Sequence, residues 1–358
     1  MKNYKHLINT IFIILLLFTA CKKGTYEEVG TKEVDIKTDT IPKHVQTRDI
    51  YVTGNIYDRS VNVNQAVYWK NEIPVILSHG KTNAFATDIA VKGNDVYVVG
   101  YVAAANNTNI ATYWKNGEQV NLTNNSVTSA ALAIAIHGND VYIAGLIGTD
   151  AVYWKNGQPV TLPLLPGMSR GSSTAIAIQG SDIYVSGSQM GGAAHSTVYW
   201  KNNVATRLPT DIESYAAKNI VFQGGQLYIP VTNIFSSAEN MVANYWKNNV
   251  PVSLADGTIK INAIAIAVSG SDVYLACSTP QGQGYFKNNK LTLLPSGHMS
   301  ETIQINDITV IDKDVYVSGQ TISRKMGGAT YWKNNVPVYL SPNVKSSFTS
   351  AILVVVQP

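Results

Sequence analysis

Residues 131–162 read ALAIAIHGNDVYIAGLIGTDAVYWKNGQPVTL, and this stretch decides the fold. Small and large apolar residues alternate at its start, which is the period-two pattern of a strand. The segments Gly138-Asn139-Asp140 and Asn156-Gly157 predict tight turns, because glycine and asparagine accept positive φ at low cost. The stretch therefore predicts an antiparallel sheet with four strands, at 131–136, 141–145, 151–155 and 159–162.

The same unit recurs along the chain. The phrase Tyr-Trp-Lys-Asn, with Phe for Trp in one copy, begins at Tyr68, Tyr113, Tyr153, Tyr199, Tyr245, Tyr285 and Tyr331. Successive copies are 45, 40, 46, 46, 40 and 46 residues apart. An apolar-Tyr-apolar triplet precedes each copy. A period of this length with four strands per unit is typical of a β-propeller blade.

The two ends of the repeat region predict how the ring closes. The first unit begins at Asp49 without an alternating strand before it, and residues 350–356 have the pattern of a first strand without a continuation. The C-terminal strand is therefore expected to complete the N-terminal blade, which removes two open sheet edges. The prediction is an all-β, seven-bladed β-propeller over residues 49–358, with four-stranded antiparallel blades and a ring closed by the C-terminal strand.

The N-terminus predicts export and anchoring. Residues 1–20 have two lysines and then a short apolar core, as in a signal peptide, and the core is too short to span a bilayer. Phe18-Thr19-Ala20-Cys21 resembles a bacterial lipobox, which implies lipidation at Cys21; the alternative is an ordinary cleaved signal with a chance cysteine. Lys22 is not the Asp that favours inner-membrane retention in Gram-negative lipoproteins, so this resemblance implies the outer membrane, with the leaflet undecided. Residues 21–48 read as a polar tether.

Composition excludes several classes of protein. The formal net charge is +4 and charged residues make up 14% of the chain, so a nucleic-acid partner is not expected. Two cysteines cannot build a disulfide framework. Cys277 stands where most of the sibling units have glycine, which favours a buried small residue over a reactive thiol.

The repeated aromatic and acidic residues favour structural roles. All six tryptophans lie in the repeated phrase, so packing between adjacent blades is the simplest interpretation and carbohydrate stacking is the alternative. One acid stands beside the tight turn of most units, where its side chain is expected to bond to the backbone. Calcium is rejected, because each turn offers one acid and a calcium loop needs several oxygens. These acids are Asp95, Asp140, Asp182, Asp272 and Asp314.

Loop lengths divide the predicted ring into two faces. The first-to-second and third-to-fourth strand turns are short, whereas the other connections vary, and antiparallel strands place all the variable loops on one face. This variable-loop face is the expected place for a site. Its charged and imidazole residues, at no fixed motif spacing, are Asp58, Arg59, His79, Arg170, His195, Glu213, Glu239, His298, Glu301, Arg324 and Lys325.

A second candidate set lies on the first strands, close to the axis. At one equivalent position three of six units have alanine, whereas the other three have Asp88, Asn219 and Asp307. The functional interpretation is a polar, ligand-binding mouth of the central channel that holds a cation or a sugar hydroxyl. The alternative is that each side chain bonds to a neighbouring backbone group, as buried polar groups usually do.

The sequence contains no motif for catalysis, a metal or a cofactor. It lacks the nucleophile elbow, the zinc-protease helix motif, paired metal-binding cysteines and the phosphate-binding loop. We therefore expect no enzyme activity, no cofactor and no metal site.

With its Asp-x-Tyr-Val-x-Gly strand and Tyr-Trp-Lys-Asn-Gly hairpin, the unit is similar to repeats of uncharacterised bacterial propeller lipoproteins and is only loosely kelch-like. The resemblance covers residues 49–358 and implies a fold, not an activity. The function expected is a lipid-anchored binding or assembly module of the cell envelope. Its expected partners are the membrane, through the N-terminal lipid, and an envelope protein or glycan; a monomer is expected. The alternative is a polysaccharide hydrolase or lyase with its site on the variable-loop face, which rests on fold analogy.

Overall fold

The computed structural model describes residues 47–106, 108–208, 214–216, 218–233, 244–255, 259–296, 302–322, 327–341 and 346–357. The predicted signal peptide, Cys21 and nearly all of the tether lie outside the described residues. Residues 46–358 form one compact unit. In the described part of the chain, no helix has the length and apolar character needed to cross a bilayer.

Strands make up seven antiparallel sheets, each a blade, and each blade contacts the next around a ring. From the inner to the outer strand, blade 1 is β29 (Ser347–Val356), β1 (Arg48–Asp58), β2 (Val63–Lys70) and β3 (Ile73–Ile76). Blade 2 is β4 (Ala84–Lys92), β5 (Asp95–Ala103), β6 (Asn109–Lys115) and β7 (Glu118–Asn121). Blade 3 is β8 (Ser129–His137), β9 (Asp140–Ile147), β10 (Asp150–Lys155) and β11 (Gln158–Thr161). Blade 4 is β12 (Arg170–Gln179), β13 (Asp182–Gly191), β14 (Ala194–Lys201) and β15 (Val204–Arg207).

The remaining blades follow the same order. Blade 5 is β16 (Ser214–Ala216) with β17 (Val221–Gln223), then β18 (Gln226–Asn233), β19 (Tyr245–Lys247) and β20 (Val250–Val252). Blade 6 is β21 (Asn262–Ser269), β22 (Asp272–Thr279), β23 (Gly282–Lys287) and β24 (Lys290–Leu293). Blade 7 is β25 (Thr302–Ile311), β26 (Asp314–Ile322), β27 (Gly328–Lys333) and β28 (Val336–Tyr339). The predicted seven-bladed β-propeller is confirmed.

The C-terminal strand closes the ring as the sequence predicts. β29 pairs antiparallel with β1 from Arg48 opposite Val356 to Ile56 opposite Ser347. Arg48 also joins blade 1 to blade 7, through ion pairs of 2.6 Å to Asp312 and 2.5 Å to Asp314. Both ends of the propeller are thereby held within regular sheet, and neither leaves an open inner edge.

A β-bulge interrupts the inner strand of six blades. In blade 2, for example, the register shifts between Ala86 and Asp88, so that Thr87 leaves the ladder. The corresponding residues elsewhere are Leu132, Thr174, Ile264, Asn306 and Ser350. Blade 5 differs from the expected four continuous strands, because its inner strand is divided into β16 and β17, with Lys218 between them at the bulge position.

The bulge explains the glycine of the second strand. A Cβ atom at Gly100 would stand 1.8 Å from the carbonyl oxygen of Phe85, on the inner strand just before the bulge. Gly54, Gly145, Gly187 and Gly319 meet an inner-strand carbonyl in the same way, at 1.8–2.3 Å. A side chain at these places must displace backbone, so the glycine is a packing requirement rather than a source of flexibility.

Each repeated tryptophan packs against the preceding blade. Trp114 of blade 2, for example, lies in a cluster with Tyr51, Ala66 and Leu77 of blade 1. Phe286 takes the same place against Tyr228 of blade 5. The six tryptophan side chains are 0–2% exposed, so their faces are not open to a sugar ring. The predicted packing between blades is confirmed.

The repeated acids bind side chains, and the prediction that they bind the turn backbone was wrong. The Asp95 carboxylate accepts hydrogen bonds from Lys115 Nζ at 2.9 Å and from Asn116 Nδ2 at 2.8 Å. Asn116, at φ 52° in the hairpin turn, accepts a hydrogen bond from Val96 N at 2.8 Å. Lys115 Nζ also lies 5.2 Å from the ring centroid of Tyr97. The acid, the tyrosine and the Lys-Asn pair thus form one network that ties the two short turns of a blade together.

Gly100→Ala should lower the free energy of unfolding by about 1–3 kcal/mol, because the new methyl group overlaps backbone that cannot rotate away. The control is Gly80→Ala, where the nearest atoms to a Cβ are 3.7 Å away, so that the change should stay within about 0.5 kcal/mol. Urea unfolding followed by tryptophan fluorescence measures both. Equal midpoints for the two variants would contradict the role assigned to the bulge.

Candidate functional site

A cavity of about 450 Å³ lies on the propeller axis, and inner-strand residues of all seven blades line it. We call it the central cavity; its polar lining includes Thr87, Asp88, Thr174, Lys218, Asp307 and Ser350. The bulges explain its chemistry. A bulged residue has left the ladder and is aimed differently from its neighbours, and five of the seven residues at this position line the cavity: Thr87, Leu132, Thr174, Lys218 and Ser350. The lining extends from the bulges toward the short turns, as far as Val268 and Val310.

The structure brings the three sequence-predicted residues Asp88, Asn219 and Asp307 into this one cavity. Asp88 accepts hydrogen bonds from Ile134 N of blade 3 at 2.9 Å and from Ile89 N at 2.8 Å. Asp307 accepts from Ile352 N of blade 1 at 3.0 Å and from Ile308 N at 2.8 Å.

Asn219 makes the equivalent contact with a neutral side chain. Its Oδ1 accepts from Ile266 N of blade 6 at 2.9 Å, and its Nδ2 donates to Ile266 O at 2.7 Å. An inner strand has no further strand on its axial side, so alternate backbone groups there need other partners. The backbone bonds are those that the alternative interpretation expected. Binding of a ligand by these residues stays a prediction.

Lys218 is the site residue that the sequence reasoning missed. It precedes Asn219 at the bulge position, and its Nζ donates to Ser350 O of blade 1, at 2.9 Å across the channel. Lys218 is exposed although it lies in the lining of the cavity. When the residues at the bulge position of the seven blades are compared, Lys218 is the charged residue among threonines, serine, asparagine and aliphatic residues. This comparison could have identified Lys218 once the bulge position was known.

Desolvation sets the electrostatics of the cavity. It raises the pKa of Asp88 to about 7, with a smaller contribution from the charge of Asp307, while the Ile134 N–H acts in the opposite direction. Desolvation likewise raises the pKa of Asp307 to about 6, against the Ile352 N–H and the charge of Lys218. The pKa of Lys218 is lowered by desolvation, which the two carboxylates partly offset. These three side chains thus carry opposite charges in a site that solvates them poorly.

Those candidates of the variable-loop face that the structure describes do not line the central cavity. Asp58 accepts hydrogen bonds from Ser60 and Gln65, and Arg59 and His79 are exposed. His195 is half-buried on β14. Arg170 borders a second cavity of about 360 Å³ between blades 3 and 4. The others, namely Glu213, Glu239, His298, Glu301, Arg324 and Lys325, lie outside the described residues.

Cys277 has the buried environment that the sequence predicts. Its side chain is 0% exposed, and burial raises the pKa of the thiol to about 12, so the reactive thiolate is suppressed. Among the described residues, no group of three or more His, Cys, Asp or Glu side chains is placed to hold a metal ion.

The fold and site define a seven-bladed β-propeller with a charged axial cavity, and the comparisons add no family. No family model and no curated protein matches the chain. A puromycin-hydrolysing peptidase from Mycobacterium tuberculosis is similar in structure, with a TM-score of 0.45 and 10% identity over 70% of this chain and 44% of that one. TolB from Acinetobacter baumannii has a TM-score of 0.45 and 8% identity, over 84% of this chain and 66% of its own. The chain thus spans less than two thirds of either protein, and likeness at this level carries no argument about function.

The raised carboxyl pKa values predict a stability loss between pH 4 and pH 7. The folded state binds more protons than the unfolded chain in this range, so the free energy of unfolding falls as pH rises through it. Each unit of pKa shift is worth about 1.4 kcal/mol. The double variant Asp88→Asn, Asp307→Asn should have a flatter profile, since asparagine does not titrate. Urea unfolding at half-unit pH steps measures it; parallel profiles would contradict the assignment of the loss to these carboxyls.

Proposed function

We propose that this protein is a lipid-anchored binding module of the cell envelope, which holds a small polar ligand in the central cavity without performing chemistry on it. The observation that carries the proposal is the placement of Lys218, Asp88 and Asp307 at positions where the fold itself needs no charge. Four blades have alanine at the position of Asp88, and Asn219 makes the equivalent hydrogen bond to the next blade with a neutral side chain.

A charged side chain is costly in a cavity that solvates it poorly, so the presence of three such side chains favours a function for them. A neutral asparagine at position 88 or 307 would satisfy the same backbone N–H without the desolvation that raises the pKa of both carboxyls. Charged groups that are not needed for folding and that converge in a cavity favour a binding site. A cavity of about 450 Å³ suits a small ligand rather than a polymer.

The contacts of the carboxylates favour binding over catalysis. Each of the two carboxylates accepts two backbone N–H groups and joins one blade to the next. A catalytic acid or base must exchange its proton with the substrate, and here that exchange would weaken a hydrogen bond that joins two blades. Because the pKa of about 7 at Asp88 would also suit a general acid, turnover is measured in the test below.

The lipobox-like segment supplies the anchoring half of the proposal. An expression host with lipoprotein processing, fed an alkyne-bearing palmitate, should attach the label to the full chain. Cys21→Ser should remove the label and release the protein from the membrane fraction, whereas Cys277→Ser, at the buried thiol, should leave both unchanged. A wild-type chain without label, or label that persists in Cys21→Ser, would rule out this anchor.

Native mass spectrometry of the full chain, released gently from host membranes, tests the binding half. The wild-type protein should carry a small bound molecule of unaltered mass, and the triple variant Asp88→Asn, Lys218→Met, Asp307→Asn should not. Identical spectra for the two proteins would contradict the central cavity as the site. A bound molecule that is converted during incubation would replace the binding role with the enzymatic alternative.

A further inference from the structure

Two of the three charged side chains of the central cavity, Lys218 and Asp307, contact the inner strand of blade 1. Lys218 reaches Ser350 O there, and Asp307 of blade 7 accepts from Ile352 N. Asp88 lies on blade 2, the other neighbour of blade 1, and its carboxylate accepts from Ile134 N of blade 3. We call the part of the lining that carries Asp88, Lys218 and Asp307 the polar wall; it has charge of both signs.

Charge is not balanced on this wall. Two carboxylates face one ammonium group, and no carboxylate oxygen of the described residues lies within 4.0 Å of Lys218 Nζ, whose partner is a neutral carbonyl. When all three groups are ionised, the wall lacks one positive charge. The charge of Asp307 contributes to the raised pKa of Asp88, next to the larger effect of desolvation.

The carboxylates also retain hydrogen-bonding capacity. In Asp88 and in Asp307, each oxygen accepts one backbone N–H. A carboxylate oxygen has two acceptor positions, so each oxygen has one left. An ammonium group, with three donors and one positive charge, complements these positions better than a neutral hydroxyl does.

The other lining residues indicate which further groups the ligand has. Thr309 and Ser350 add hydroxyl-bearing side chains, as do Thr87 and Thr174, whose hydroxyls donate to backbone carbonyl groups, and Ile266 and Val310 add apolar surface. Hydroxyl groups next to aliphatic surface suit a ligand that is itself both hydroxylated and partly apolar, such as a sugar ring. The volume of about 450 Å³ accommodates a ligand of that size.

We infer that the central cavity binds a small hydroxylated primary amine, of the amino-sugar class, with its ammonium group between Asp88 and Asp307. This inference rests on the proposed binding function of the cavity. Lys218 then limits affinity rather than creating it, because it supplies part of the positive charge that the ligand also brings.

Isothermal titration calorimetry on the full chain in detergent tests the inference with three probes of one ring size. Glucosamine is the cation, glucose the neutral counterpart and glucuronate the anion. Glucosamine should bind at least about tenfold more tightly than glucose, since charge-assisted hydrogen bonds are lost with the amine. Glucuronate should bind more weakly than either, because it places a third carboxylate in the cavity.

Two variants should move the affinity for glucosamine in opposite directions. Asp88→Asn with Asp307→Asn should lower it at least about tenfold while the ring keeps its fold, because asparagine makes this joint at position 219. Lys218→Met should raise it, because the competing ammonium group is removed. Tryptophan fluorescence of both variants verifies the fold, since the six tryptophans report the blade interfaces.

Preferential binding of glucuronate that disappears in Lys218→Met would overturn the amine and make this an anion site, while the binding function would stand. Equal binding of glucosamine and glucose, unaffected by the carboxylate substitutions, would also overturn it. If none of the three probes binds, the inference falls; the mass spectrometry of the preceding section then decides separately whether the cavity holds another ligand.

Discussion

The bulge in the inner strand is the constraint on which the rest of this propeller depends. The bulge takes one residue of the inner strand out of the ladder. The carbonyl group before it then lies against the second strand, where a Cβ atom would overlap it, so glycine is the best residue at that position, as at Gly100. Five of the seven residues at the bulge position, Thr87 and Lys218 among them, line the cavity on the axis. The residue after the bulge, as at Asp88, can reach the free N–H of the next blade. One irregularity thus sets the glycine pattern, the axial lining and the joints between blades.

Blade 5 shows what happens when these requirements are not met together. It has Val231 where five blades have glycine, and its inner strand is divided at the bulge position. Gln226 replaces the usual Asp beside the turn, although Asn248 Nδ2 still donates to it at 2.6 Å. Blade 6 has Cys277 at the glycine position and keeps its bulge, so a small side chain there is tolerated in one setting. The most irregular blade is also the one that supplies Lys218 to the cavity.

The sequence predicts what is local and repeated, and it predicts less of what depends on register. The Asn156-Gly157 turn and the alternation of residues 131–136 define strands directly, and the unpaired pattern of residues 350–356 predicts the closing strand. Asp88, Asn219 and Asp307 could be found because they replace alanine at one repeat position. Lys218 was not found, since a bulge leaves no mark in the sequence that tells which side chain faces the axis. The prediction of the partners of Asp95 was wrong for a related reason, because Asn116 is distant in sequence but adjacent across the sheet.

The ring tolerates charged side chains in a poorly solvated cavity because its stability comes from the blade interfaces and from the closure of the ring. Each blade interface is filled by a tryptophan or by Phe286, which buries on the order of 150–250 Å² per side chain. The ring has no open inner edge, and β29 pairs with β1 over nearly its whole length. A scaffold with this reserve tolerates desolvated carboxylates that a marginal domain would not. Sevenfold repetition alone would produce seven neutral, equivalent contacts between the inner strands of neighbouring blades. The departures from it at positions 88, 218 and 307 are therefore where selection for something other than folding is best sought.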